Sequence, residues 1–251
     1  MMLGLGIMLS MIPGANSAPY TKYFFGMPGK PSVDNSRPIA AVIDRLARKH
    51  RVIITYEDAP YIHETEVEDV TSPEWRQAHP DGPRALIPKP VYLDPPYPMA
   101  YGSVETDDIK SLIQKLLDNH AEKNYPGRFR LLQEGEIFHV VPMRVRDRSG
   151  SLVNVDSILD TPISLAEKER TLLETIDLIT NAVSQARGKF FGVGTVPLNL
   201  MAQTTFRRGA NKEKARDVLV SALKATKSKL SWRIFYDPGI EWYALNLHVV
   251  R

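Results

Sequence analysis

One order of elements occurs twice in this chain of 251 residues, and it limits the folds open to the rest. Ile109, Leu112, Ile113, Leu116 and Leu117 recur at helical spacing. They are followed by Phe129-Arg130-Leu131-Leu132, a turn at Gln133-Glu134-Gly135-Glu136, and Ile137-Phe138-His139-Val140-Val141. Near the C-terminus, Ala215, Val218, Leu219, Ala222 and Leu223 form a second such stripe. Behind it come Leu230-Ser231-Trp232-Arg233-Ile234-Phe235, a turn at Tyr236-Asp237-Pro238-Gly239, and a run from Tyr243 that closes on His248-Val249-Val250. A stripe at i, i+3 and i+4 makes a one-sided helix, and paired short runs across a turn make a hairpin. Each of the segments 107–141 and 212–250 is therefore expected to fold as a helix on an antiparallel hairpin.

The pattern extends upstream in both halves. Ile39, Val42, Ile43 and Leu46 predict a helix that closes on Lys49, His50 and Arg51, cations that suit the negative end of a helix dipole. The β-branched run Val52-Ile53-Ile54-Thr55-Tyr56 then predicts a strand. In the second half, Ser164-Leu165-Ala166-Glu167 reads as a capping box opening a helix that carries Leu172, Leu173, Ile176, Ile179 and Val183 and stops at Gly188. A strand over 190–196, a loop over 197–210 and a helix capped by Asn211 follow. The predicted fold class is α+β, as two small modules at 19–146 and 151–251, each with helices packed on a short mixed or antiparallel sheet ending in a hairpin. Between strand and helix of the first module, residues 57–105 are rich in proline (Pro88, Pro90, Pro95, Pro96, Pro98) and poor in periodicity, which reads as an insertion.

Composition excludes several classes of function. There is no cysteine, so disulfides, thiolate nucleophiles and Cys-ligated metals are out. The net charge of +3 is spread among acids apart from short pairs such as Arg207-Arg208, where a nucleic-acid binder would cluster its cations. No nucleic-acid partner is expected. Residues 1–11 are apolar and Ala15-Asn16-Ser17-Ala18 supplies small residues, so 1–18 reads as a signal peptide cleaved after Ser17 or Ala18, although no Lys or Arg precedes the apolar run. The run is too short for a bilayer span and Pro13-Gly14 interrupts it, so the mature chain is expected to be exported, periplasmic or extracellular, with no transmembrane span.

Pro38, the helix ending Leu46-Ala47, and the strand ending Tyr56-Glu57 resemble the opening of the secretin and TonB short N-terminal domain. The helix ending Leu116-Leu117 and the hairpin over 129–141 are similar to that family's second half. The match covers about 36–142 without the insertion, and departs from the family in that insertion and in lacking a following secretin or barrel. The resemblance implies a periplasmic docking module and no catalytic residue.

The residues alone offer weak candidates for chemistry. His63 and Glu64 lie in the alternating run Tyr61-Ile62-His63-Glu64-Thr65-Glu66-Val67-Glu68-Asp69, and imidazole with carboxylate can hold zinc. The next histidine is His79 and there is no His-Glu-x-x-His, so a solvated acidic strand is the favoured reading. His139 and His248 hold matching places in the two hairpins and are expected to face outward beside buried valines. Trp232 and Trp242 read as packing residues, and Gly192-Val193-Gly194 lacks the third glycine of a dinucleotide fingerprint. No catalytic, cofactor or metal residue is assigned. The function expected is non-enzymatic docking to another envelope protein by strand addition. The alternative is a secreted hydrolase or carbohydrate-binding protein with its site under the 57–105 insertion, drawing on His63, Glu64 and His79.

Overall fold

The computed structural model describes residues 36–93 and 106–250; the 1–18 segment and the later part of the proline-rich insertion lie outside them. The class is α+β. The first half contributes α1 (Pro38–His50), β1 (Ile53–Glu57), α3 (Thr106–Glu122), β4 (Arg128–Glu134) and β5 (Ile137–Arg146). The second contributes α4 (Leu172–Arg187), β8 (Phe190–Val193), α6 (Ala215–Lys224), β10 (Leu230–Asp237) and β11 (Trp242–Val249). Both halves thus run helix, strand, connector, helix, strand, strand.

The pairing repeats as well. In the first half β5 pairs antiparallel with β4 and parallel with β1. In the second, β11 pairs antiparallel with β10 and parallel with β8. The halves fuse through a parallel β1·β10 contact, so one sheet runs β4-β5-β1-β10-β11-β8. Strand directions reverse between halves while their order is kept. One half therefore maps onto the other by a half-turn about an axis in the sheet, perpendicular to the strands, and a shift of three strands. The same half-turn moves the helices to the opposite face.

Alternation along each strand sorts the residues by face. Ile54 and Tyr56 lie under α1 and α3, where Tyr56 meets Phe129 and His120 of α3 meets Phe129. Thr55 and Glu57 point the other way, toward α6. Both faces are covered and β1 is buried on both, as a central parallel strand should be.

Both strand-opening turns are alike: α1 ends at Arg51 (φ 53°) and α4 at Gly188 (φ 60°), each in the left-handed conformation and each followed two residues later by a strand. The registers then equate Ile53 with Phe190, Ile137 with Trp242, and His139 with Ala244. The shared His-Val-Val ending is thus a coincidence of sequence, because His248 sits four residues past the position that matches His139.

Between the halves lie β6 (Leu152–Asn154) and β7 (Pro162–Thr171), and the connector within the second half holds α5 (Leu198–Gln203) and β9 (Thr205–Lys214). β6 extends β5, while β7 and β9 form a separate two-stranded arm. Segments 164–171 and 205–210, expected as helix and loop, are strands of this arm. The capping box exists one turn and more downstream, where Thr171 accepts from the Glu174 amide and Glu174 reaches back. α6 begins at Ala215 and has no side-chain cap, so Asn211 belongs to β9. Within the insertion, β2 (Val67–Asp69) pairs with β3 (Leu86–Pro88), and a short α2 (Pro73–Ala78) connects them.

Candidate functional site

The joint between the halves is held by side chains from both helical layers. Tyr56 and Glu57 pair with Arg233 and Ile234, and the Asp58 amide donates to the Ile234 carbonyl at 2.8 Å. Two residues earlier the ladder gives way to side chains. The Ile54 carbonyl accepts from the Ser231 hydroxyl and from Arg233 Nη1, each at 2.6 Å. Arg233 Nε also donates to Asp44 of α1 at 2.9 Å. At the other end of α1, Arg37 donates to the Asp58 carboxylate at 2.6 Å and to the Tyr236 carbonyl at 2.9 Å.

On the opposite face, Arg216 of α6 donates to Glu57 at 2.5 Å and to the Ser157 hydroxyl at 2.7 Å, with Asp160 at 3.4 Å. Ser157 in turn bonds Glu57. Glu57, Arg216 and Ser157 are all buried. Buried charges persist only where partners replace lost water, and this network does so. Sequence reasoning missed it. Its one local trace is a cation beside the apolar stripe of α6 and a carboxylate ending an apolar strand.

His139 belongs to the same layer. It is buried, not outward, because α6 of the second half covers the face that a two-layer module would leave wet. Its Nδ1 shares a 2.8 Å hydrogen bond with Thr55, and its ring stacks on Trp232 with centroids 5.3 Å apart. Burial, with Arg216 and Lys224 nearby, lowers its pKa to about 3. His248 lies on the other face of the sheet, half-buried and lowered to about 4 by burial and by Arg233. The two histidines do not converge.

The insertion's candidates scatter. His63 bonds Thr65 at 2.7 Å, and His79 stacks on Trp75 with centroids 3.9 Å apart. Glu64 is exposed, whereas Glu66, expected beside it in solvent, is buried and accepts the Gly127 amide at 3.0 Å. A recess lined by Arg37, Tyr56, Tyr61 and His120 has room for about one water molecule. Among the described residues no cluster of His, Asp and Glu could hold a metal, and no helix is long and apolar enough to cross a membrane.

The sheet ends in two open edges. Among the described residues no strand covers the outer side of β4 or of β8. On β8, alternation turns the main-chain groups of Phe191 and Val193 outward. Those of Phe191 are met by Ser184 of α4, whose hydroxyl lies 3.0 Å from the amide and 2.9 Å from the carbonyl. Phe190 beside it is 76% exposed. On β4, the two-residue turn Gly135-Glu136 makes Glu134 and Ile137 the closing pair, which turns the main-chain groups of Gln133 and Leu131 outward. Gly192 and Val193 of the glycine motif are simply part of the β8 edge, and Gly194 follows it.

Comparison with protein-family models, with curated proteins and with solved structures returned no match.

Proposed function

We propose that this chain is an exported, non-enzymatic docking module, resembling the secretin and TonB short N-terminal domain, that takes its partner by strand addition. The observation that carries the reading is the open outer edge of β4, seven residues long and free of proline. An added strand satisfies such an edge with main-chain hydrogen bonds and draws specificity from the side chains beside it. Arg130 and Glu134 on this strand keep a free edge from pairing indiscriminately, the usual use of charge at an edge. A photo-crosslinker at Gln133 in the cell should give a discrete adduct that one at Lys115, on the exposed side of α3, does not. Equal labelling from both positions, or none from Gln133, would overturn the reading. Export is tested separately: the mature N-terminus should be Ala18 or Pro19 by mass spectrometry, and a native chain that retains Met1 or Met2 removes that part.

A further inference from the structure

We infer that the partner at the β4 edge is a second copy of this chain, whose β8 edge pairs with it head to tail as β1 pairs with β10 inside one molecule. This rests on the docking reading above and adds the identity of the partner. The internal joint is the template. β1 is the last strand of the first half and β10 the first strand of the second. Their counterparts under the half-turn relation are β8 and β4, the two strands left open among the described residues. Repeating the same operation places β8 of one copy parallel to β4 of the next and keeps the helical layers in step. The contact joins two different surfaces, so it propagates into a ring or a filament and does not stop at a two-fold dimer.

The residues that make the internal joint have counterparts at the open edges. Arg233, which ties the Ile54 carbonyl to Asp44, matches Arg130 on β4. Arg130 is about half exposed, and among the described residues its ion-pair contact is a loose one to Asp160 at 3.8 Å. Counting from the shared helix ends, Asp44 matches Asn181 of α4, which is exposed and offers a neutral acceptor in place of the carboxylate. Exposed apolar groups flank the edge on both faces: Phe190 on one and Leu178 of α4, 38% exposed, on the other.

Ser184 does not close this edge. It meets Phe191, the counterpart of Ile54, whose carbonyl takes side chains and not a ladder bond even within the internal joint. Ladder bonding there begins at Tyr56, and among the described residues nothing takes up the outward amide and carbonyl of its counterpart Val193. At the position of Ser184 the first half has Ala47, which needs no hydroxyl because β10 already supplies Ser231 and Arg233.

Single-edge variants of the mature chain test this in sedimentation experiments. Wild-type mass should rise with concentration past that of one chain. Leu131→Pro removes from β4 the outward amide that matches that of Ile234 in the internal joint, and Val193→Pro removes one from β8, neither being spent on the strand's own partner. Each variant alone should stay monomeric. Their equimolar mixture should double in mass, because the open β8 of one meets the open β4 of the other. Asn181→Arg, an exposed change on α4 that sets a cation against Arg130, is a second β8-edge block, and adding Arg130→Asp should restore assembly. A dimer formed by either single variant alone would overturn the inference, as would a wild type monomeric at every concentration. If the chain stays monomeric while Gln133 crosslinks to a different protein, the docking reading stands and self-assembly falls.

Discussion

Arg216 and Glu57 are buried against each other across 159 positions of sequence, the first from the opening turn of α6 and the second from the end of β1. With Ser157 they bind the second half's helix to the first half's strand, so neither half can keep its own polar layer satisfied alone. Arg216→Ala strands the Glu57 carboxylate in the interior, which should cost about 3–5 kcal/mol, measured by urea unfolding. Glu57→Gln with Arg216→Met should cost less than the sum of the two single changes, because each single change leaves the other charge unpaired.

The buried histidines make the fold acid-sensitive. His139 and His120 are both held to about 3, His139 by burial with Arg216 and Lys224, His120 by burial with Arg128, against an ordinary 6.5. The unfolded chain takes up these protons first. Their contribution is whole above pH 6.5 and is lost as pH falls from there toward 3, at up to about 1.4 kcal/mol per pH unit for each histidine. Chemical denaturation from pH 7 to 5 should show this slope, and His139→Gln should flatten it while lowering stability at pH 7.

The two helix stripes set the scale for core changes. Leu116 and Leu219 have no exposed surface, so Leu116→Ala and Leu219→Ala should each cost about 2–5 kcal/mol through lost transfer energy and the cavity left behind. Leu112, expected to be as deeply buried, is only partly so, and its truncation should cost distinctly less. Equal losses at Leu112 and Leu116 in parallel unfolding curves would contradict this packing.

The two hairpin turns should respond differently to an added methyl group. A Cβ at Gly239 would lie 2.2 Å from the Arg84 carbonyl oxygen, so Gly239→Ala forces the 81–85 loop and the β10–β11 turn apart. A Cβ at Gly135 meets nothing within 4 Å but requires φ of +57°. Overpacking should cost about 1–3 kcal/mol at Gly239, and left-handed strain about 1–2 kcal/mol at Gly135. Limited proteolysis should cut the 81–85 loop faster in Gly239→Ala only.

Local chemistry made most elements legible. The stripes of α1, α3, α4 and α6 lie where apolar spacing puts them, and both hairpins turn where glycine or Asp237-Pro238-Gly239 predicts. The errors have two causes, one local and one tertiary. Residues 164–171 carry a capping motif yet pair with β9, because a second motif, Thr171-Leu172-Leu173-Glu174, starts the same helix and leaves the upstream run free to form a strand. His139 reads as an outward polar residue in an alternating strand, and would be one had the sheet a single helical layer.

The sequence by itself determined the repeated order of helices and strands, since helical and strand periods are written in neighbouring residues. Only the tertiary structure decided that β1 lies between β5 and β10, that the helices divide between two faces, and that Glu57, His139 and Arg216 are interior. The main-chain groups along a strand edge are the same whatever the side chains, so strand pairing is chosen by which faces and edges the whole chain must cover. Burial of a polar side chain then depends on an element far away in sequence, here α6, whose apolar face needed a sheet to rest on.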